Sequence, residues 1–167
     1  MIQILIGLML IFIPIPIPRF VGALVLLIDY MPHFLGYVLI FWGLSRSVDT
    51  PSRGSAMAVA VASAVASGAL WVAGLLGYGM TFPLPALLQL FVTYQLLVWC
   101  EELKEMEQSY LIRRFRLSWY ALLGAQIAAI VLGAFLPPLG WVWSAVAFVA
   151  ALYFTYTYYR LQSMVER

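Results

Sequence analysis

Six apolar stretches, 1–18, 20–44, 56–79, 83–100, 117–136 and 139–159, make up most of this chain and hold almost none of its charge. Hydrophobic residues are 65% of the total, charged residues only 10%, and mean hydropathy is +0.98. A water-soluble domain carries about 25% charged residues, so this chain could not cover itself in water. A lipid bilayer is the solvent that suits it. At about 20 apolar residues per crossing, 167 residues allow five or six spans, leaving no room for an appended soluble domain. Backbone N–H and C=O groups cannot go unpaired in hydrocarbon, and the alternating pattern of barrel strands is missing. The predicted fold is therefore all-α, a polytopic transmembrane helical bundle forming one integral membrane domain over 1–167, with spans at about 2–17, 20–44, 56–79, 83–100, 117–136 and 139–159. Cys100 is the lone cysteine, which excludes an internal disulfide framework. The apolar N-terminus lacks the basic n-region and small-residue cleavage site of a signal peptide, and is read as a retained membrane segment.

The cations set the threading. Arg46 and Arg53 follow the second stretch, Lys104, Arg113, Arg114 and Arg116 follow the fourth, and Arg160 and Arg167 end the chain. If every stretch crosses once, eight of the nine basic residues share one side, and only Arg19 lies opposite. The positive-inside rule makes that basic side cytoplasmic, and with six crossings it holds both termini. The first stretch is the exception in length. Pro14, Pro16 and Pro18 stop the helix, and what remains before them is about 18 Å long at 1.5 Å per residue, short of a ~30 Å hydrocarbon core. It is expected to cross thinly. All three external turns hold proline, which suggests three helical hairpins in series. Trp42, Trp99 and Trp119, with Tyr153, Tyr156, Tyr158 and Tyr159, fall near inner ends, and Trp141 and Trp143 near an outer one, the depth that amphipathic rings prefer.

Small residues mark packing faces. Ala56, Ala60, Ala64 and Gly68 repeat every fourth residue in the third stretch, and Ala125, Ala129 and Gly133 do so in the fifth. Such rows let helix backbones approach closely where no hydrophobic drive exists between helices. They predict that the third and fifth helices are central. A homo-oligomer contact is the alternative use of the same rows, and packing within the chain is preferred.

Asp29 and His33 are the acid and the imidazole inside the apolar stretches, four residues apart, with Tyr30 beside them. On an unbroken helix the pair shares a face, and an acid within a bilayer marks a candidate proton or ion site. Pro32 supports the other reading, which is preferred: a helix break at 29–32 with Asp29 as the cap of the helix that follows. Gln89, Thr93, Gln126 and Ser144 are uncharged polar residues at membrane depth, expected to make interhelical hydrogen bonds rather than to line a pore. The segment from Glu101 through Glu102, Lys104, Glu105 and Glu107 to Arg113, Arg114 and Arg116 is read as a solvated elbow. Its basic end would rest on anionic lipid headgroups at about 1 kcal/mol per cation.

Enzyme motifs are not evident. A single histidine excludes a His-Glu-x-x-His zinc site or any two-histidine metal centre. Glu101-Glu102 looks like the glutamate pair of prenyl-protein-processing membrane proteases, yet the histidines that those enzymes need are missing. Ala66-Ser67-Gly68 lacks the first glycine of a rhomboid-type nucleophile motif. No phosphate loop or dinucleotide fingerprint is present, so no cofactor, metal or nucleic-acid partner is expected.

The segment 27–44, Leu-Ile-Asp-Tyr-Met-Pro-His-Phe-Leu-Gly-Tyr-Val-Leu-Ile-Phe-Trp-Gly-Leu, is similar to one found in small, uncharacterised multi-span membrane proteins of Gram-positive bacteria, whose pattern is Asp-x-Leu-Pro-Asp-Phe-Ile-Gly-Tyr-x-Leu-Ile-x-x-Gly-Leu. Asp29, Pro32, Phe34, Gly36, Tyr37, Leu39, Ile40, Gly43 and Leu44 match. Met31 replaces a leucine, and His33 stands where that pattern has a second acid, which shifts weight from His33 to Asp29. The likeness covers about a tenth of the chain. It implies a bacterial cytoplasmic membrane and a compact helical bundle, and brings no activity with it. Two functions from different classes are therefore expected: a non-enzymatic accessory or assembly protein working with a membrane-protein partner, and a small transporter or channel component with a proton- or ion-linked Asp29.

Overall fold

A computed structural model describes the backbone at 2–12, 22–76, 84–103 and 109–165, and most side chains there; those of 22–32, 74–75, 109, 133, 137–141 and 164–165 lie outside the described set. The described residues form six α-helices and no strand: α1 (Ile2–Phe12), α2 (Gly22–Ser45), α3 (Arg53–Leu75), α4 (Leu84–Glu102), α5 (Ser109–Phe135) and α6 (Pro137–Val165). Three segments are long and apolar enough to cross a membrane, Arg53–Ala73, Leu84–Glu102 and Tyr110–Leu132. At 11 residues, α1 is about 17 Å long. The prolines expected to end it lie outside the described residues.

The helices pack as a closed ring in chain order, each against its sequence neighbours, with α6 returning to α1. Neighbours run antiparallel. Ile4 meets Gly43 while Ile11 meets Gly36; Ser52 reaches Glu102 while Ser55 reaches Gln95; Glu101 pairs with Arg116 while Gln89 meets Gln126. One end of the ring therefore gathers Arg53, Glu101, Glu102 and Arg116. Around this ring α3 and α5 each lie between chain neighbours, so the centrality expected of them is shared by all six helices.

The tightest contact involves the shortest helix. A Cβ placed on Gly7 would lie 2.6 Å from the Gly36 carbonyl oxygen, and one on Gly36 would lie 2.5 Å from Ile11 Cγ2 and 2.8 Å from the Gly7 oxygen. A Cβ on Gly43 would overlap Ile4. Three glycines thus bring the α1 and α2 backbones together, and Ile4, Leu8 and Ile11 of α1 are wholly buried. By contrast a Cβ on Gly68 would meet Phe34 at an ordinary 3.5 Å. Within the small-residue row of α3, Ala56, Ala60 and Ala64 are buried inside the chain. The surroundings of Gly133 lie outside the described residues; Ala125 is buried and Ala129 half-buried.

Several expected boundaries differ, among them the end of α6, which runs to Val165 past the predicted 159. Helix α5 begins eight residues before the predicted 117, so Arg113, Arg114 and Arg116 sit on its first turns rather than in an elbow. A helix keeps its hydrogen bonds as readily at the headgroup level as in hydrocarbon, so an apolar boundary need not end it. Helix α2 runs unbroken through Asp29-Tyr30-Met31-Pro32, so the break expected there, and with it the cap reading of Asp29, is not found. Pro32 removes one i→i−4 bond, a loss that membrane helices accommodate.

The outside is apolar like the inside, and some polar side chains are among the buried ones. Buried residues include Ser63, Ser67, Thr93, Ser118, Gln126, Thr155 and Thr157, while Val61, Val65, Val72, Phe91, Ile127, Val131, Val142 and Val149 are exposed. Ser118 and Thr157 join α5 to α6 at 2.9 Å. Phe115 stacks on Phe154 at 4.7 Å, and Phe154 meets Phe12 edge-on at 6.4 Å, carrying the contact from α5 through α6 to α1.

Candidate polar cavity and basic end

Four polar residues that are far apart in sequence converge in the half of the bundle opposite the basic end. His33 of α2, Gln89 of α4, Gln126 of α5 and Ser144 of α6 all line one open cavity of about 400 Å³, whose other walls are apolar and include Phe12, Ile130 and Phe148. Gln89 and Gln126 also make interhelical hydrogen bonds of the kind expected of them, though no spacing in the sequence indicates that the two share a cavity with His33 and Ser144.

An amide relay runs along the cavity wall. Gln89 Nε2 donates to the Ile11 carbonyl at 2.6 Å, and Gln126 Nε2 donates to Gln89 Oε1 at 3.0 Å. Ile11 lies in the last turn of α1, whose final carbonyls have no donor within their own helix, and Gln89 supplies one from the far side of the ring. One turn deeper, Thr93 Oγ1 donates to the Gln89 carbonyl at 2.8 Å and accepts from Trp119 Nε1 at 3.2 Å.

Asp29 and Tyr30 belong to the α2 backbone one turn before His33, with side chains outside the described set. Because α2 is continuous, the four-residue spacing of Asp29 and His33 is that of one helical turn. His33 is half-buried and lines the cavity.

At the opposite end the acidic residues are engaged. The Ser52 backbone N–H donates to Glu102 Oε2 at 2.8 Å, so Glu102 from α4 satisfies an amide at the start of α3, where a carboxylate is favoured. Arg116 Nε lies 2.8 Å from Glu101 Oε1 with half of its side chain exposed, so solvent screens the pair and it adds little stability. The solvated elbow is thus partly an interhelical latch, and Arg116 is committed to it. Arg113 and Arg114 are exposed, with Arg114 over the Tyr110 ring at 5.8 Å. Arg46 lies over Trp42 at 4.6 Å, and Trp42 is exposed as an anchor should be. Trp99 and Tyr158 are not anchors: they are 0% and 1% exposed, because on their helices those positions face the neighbouring helices.

Neither a family model, a curated protein nor a solved structure matches this chain.

Proposed function

We propose that this chain is a non-enzymatic accessory or assembly protein of a bacterial cytoplasmic membrane, with all six helices embedded, α1 crossing thinly, and the basic end cytoplasmic. The observation that carries the membrane part is the apolar outside of the bundle. Valine, isoleucine and phenylalanine side chains are exposed along the described helices, an arrangement that water would penalise at about 25 cal/mol per Å² of apolar surface and lipid does not. The accessory part is supported by the sequence, whose single histidine and missing nucleophile and metal motifs leave little catalytic equipment. Arg113 and Arg114, exposed at the start of α5, are the side chains placed to meet anionic headgroups. Gentle extraction of the tagged full chain from its native membrane should bring down the same membrane protein repeatedly, in constant ratio, and from cross-linked cells too. Recovery of the chain alone under all of these conditions overturns the accessory reading.

A second reading has one observation in its favour: His33 lines the cavity and Asp29 lies one turn before it on the same helix. In that case the chain is a small transporter or channel component. Asp29→Asn would then abolish a proton- or ion-dependent flux in reconstituted vesicles, by tenfold or more, while thermal stability stays unchanged. An Asp29→Asn variant that only lowers stability, with no flux to lose, eliminates this reading.

A further inference from the structure

The direction of the amide relay has a chemical consequence. A backbone carbonyl can only accept, so Ile11 obliges Gln89 to present its Nε2 and leaves Gln89 Oε1 facing α5. That oxygen obliges Gln126 in turn to present its own Nε2. The amide orientations, which at other sites must be assigned by weighing alternatives, are here dictated from one end. The relay terminates on Gln126 Oε1, a buried acceptor with no hydrogen-bond partner among the described residues, on a side chain only 7% exposed. An unpaired buried acceptor is costly, by about 1–3 kcal/mol, and a donor brought to it recovers that loss. The terminal torsion of a glutamine is soft, so the oxygen can turn toward a ligand in the adjoining space.

The cavity defines the rest of such a ligand. Its described lining is mostly apolar and contains no Asp, Glu, Lys or Arg, so the described walls offer a formally charged group no counter-charge against its desolvation cost. Ser144 and His33 add a hydroxyl and an imidazole on neighbouring walls. The volume of about 400 Å³ lies in the range of small-molecule sites.

We infer that the cavity between α1, α2, α4, α5 and α6 is a binding site for an uncharged molecule that presents an O–H or N–H donor to Gln126 on an apolar body. A neutral lipid with a hydroxyl headgroup and a small amphiphilic alcohol share that chemistry. The inference rests on the membrane placement proposed above, and not on the presence of a protein partner.

The test uses the full chain in phosphatidylcholine nanodiscs with two photoreactive probes, a diazirine-tagged monoacylglycerol and a diazirine-tagged octanol. At least one should label residues of the cavity wall, in 126–130 or 144–151. The fully O-methylated form of each probe, with both hydroxyls of the monoacylglycerol capped, keeps the apolar body, loses every donor and should compete about tenfold less well than the parent alcohol, as expected for one hydrogen bond to a buried acceptor. Labelling by the monoacylglycerol alone assigns the lipid as the source, and labelling by octanol alone assigns a solute. Ala147→Phe, which fills the cavity from α6, should abolish the label; should that variant fail to fold, the comparison of ether and alcohol on the unaltered chain still decides. Labelling confined to other segments, no labelling, or equal competition by ether and alcohol overturns the inference. Any of these with a constant co-purifying partner leaves the accessory reading standing, and water solubility of the chain would remove both.

Discussion

Gly36→Leu should be severely damaging, lowering the melting temperature in detergent or abolishing recovery of the folded protein. Even a Cβ there falls 2.8 Å from the Gly7 carbonyl oxygen and 2.5 Å from Ile11 Cγ2. Backbone cannot yield as a side-chain tip can, so α1 must move away from α2. Overpacking a well-packed core costs about 1–3 kcal/mol per site, and here the displaced helix carries Ile4, Leu8 and Ile11 out of the interior. The loss should therefore sit at or above the top of that range. Two controls separate this clash from a general intolerance of glycine replacement. Gly124 has nothing within 4 Å of an added Cβ, so Gly124→Leu should be neutral or slightly stabilising, since leucine favours helix more than glycine by up to about 1 kcal/mol. Gly68→Ala should also be tolerated, because the Phe34 ring sits at contact distance. Equal melting temperatures for Gly36→Leu and Gly124→Leu would refute the close approach of α1 to α2.

The second large effect is all-or-none. In a chain whose Cys100 is replaced by alanine, a membrane-impermeant maleimide applied to protoplasts should react with Leu136→Cys and leave Asp49→Cys and Arg114→Cys untouched until the membrane is opened. Asp49 has 88% of its side chain exposed and Leu136 is 51% exposed, so access is limited by the bilayer and not by the fold. The order of reactivity follows from the antiparallel ring and the positive-inside rule. If Asp49→Cys and Arg114→Cys react from opposite faces, the even number of crossings between them is wrong and the threading fails with it.

The helical class and the approximate positions of six helices were legible because charge-free runs of bilayer length leave few alternatives. The short α1 was legible too, from its prolines. Its tight seating was not. Gly7 has no small residue four places away in α1, and in α2 Gly36 and Gly43 are seven apart, a spacing that looks unremarkable until two backbones are seen to meet. The rows of alanine were more conspicuous and less demanding, since an alanine tolerates close neighbours without requiring them. Pro32 misled because a helix can lose one i→i−4 bond and still continue, as α2 does. The shared cavity of His33, Gln89, Gln126 and Ser144 was illegible because it depends on ring order. One residue from each of four helices comes together only when α6 has closed on α1, and no spacing within a single helix announces that. Trp99 shows the same limit, since a tryptophan near a helix end suits both a headgroup and a core, and only the neighbouring helix decides.

The ring also bears on synthesis. Five of its six joints link helices that leave the ribosome one after another, so each can find its partner almost as soon as both are made. The sixth, where Phe12 meets Phe154, joins the first helix made to the last. Until translation reaches α6, the apolar flank of α1 that Phe154 covers has no partner helix, and a chain halted after α5 would hold an open arc whose cavity lacks one wall.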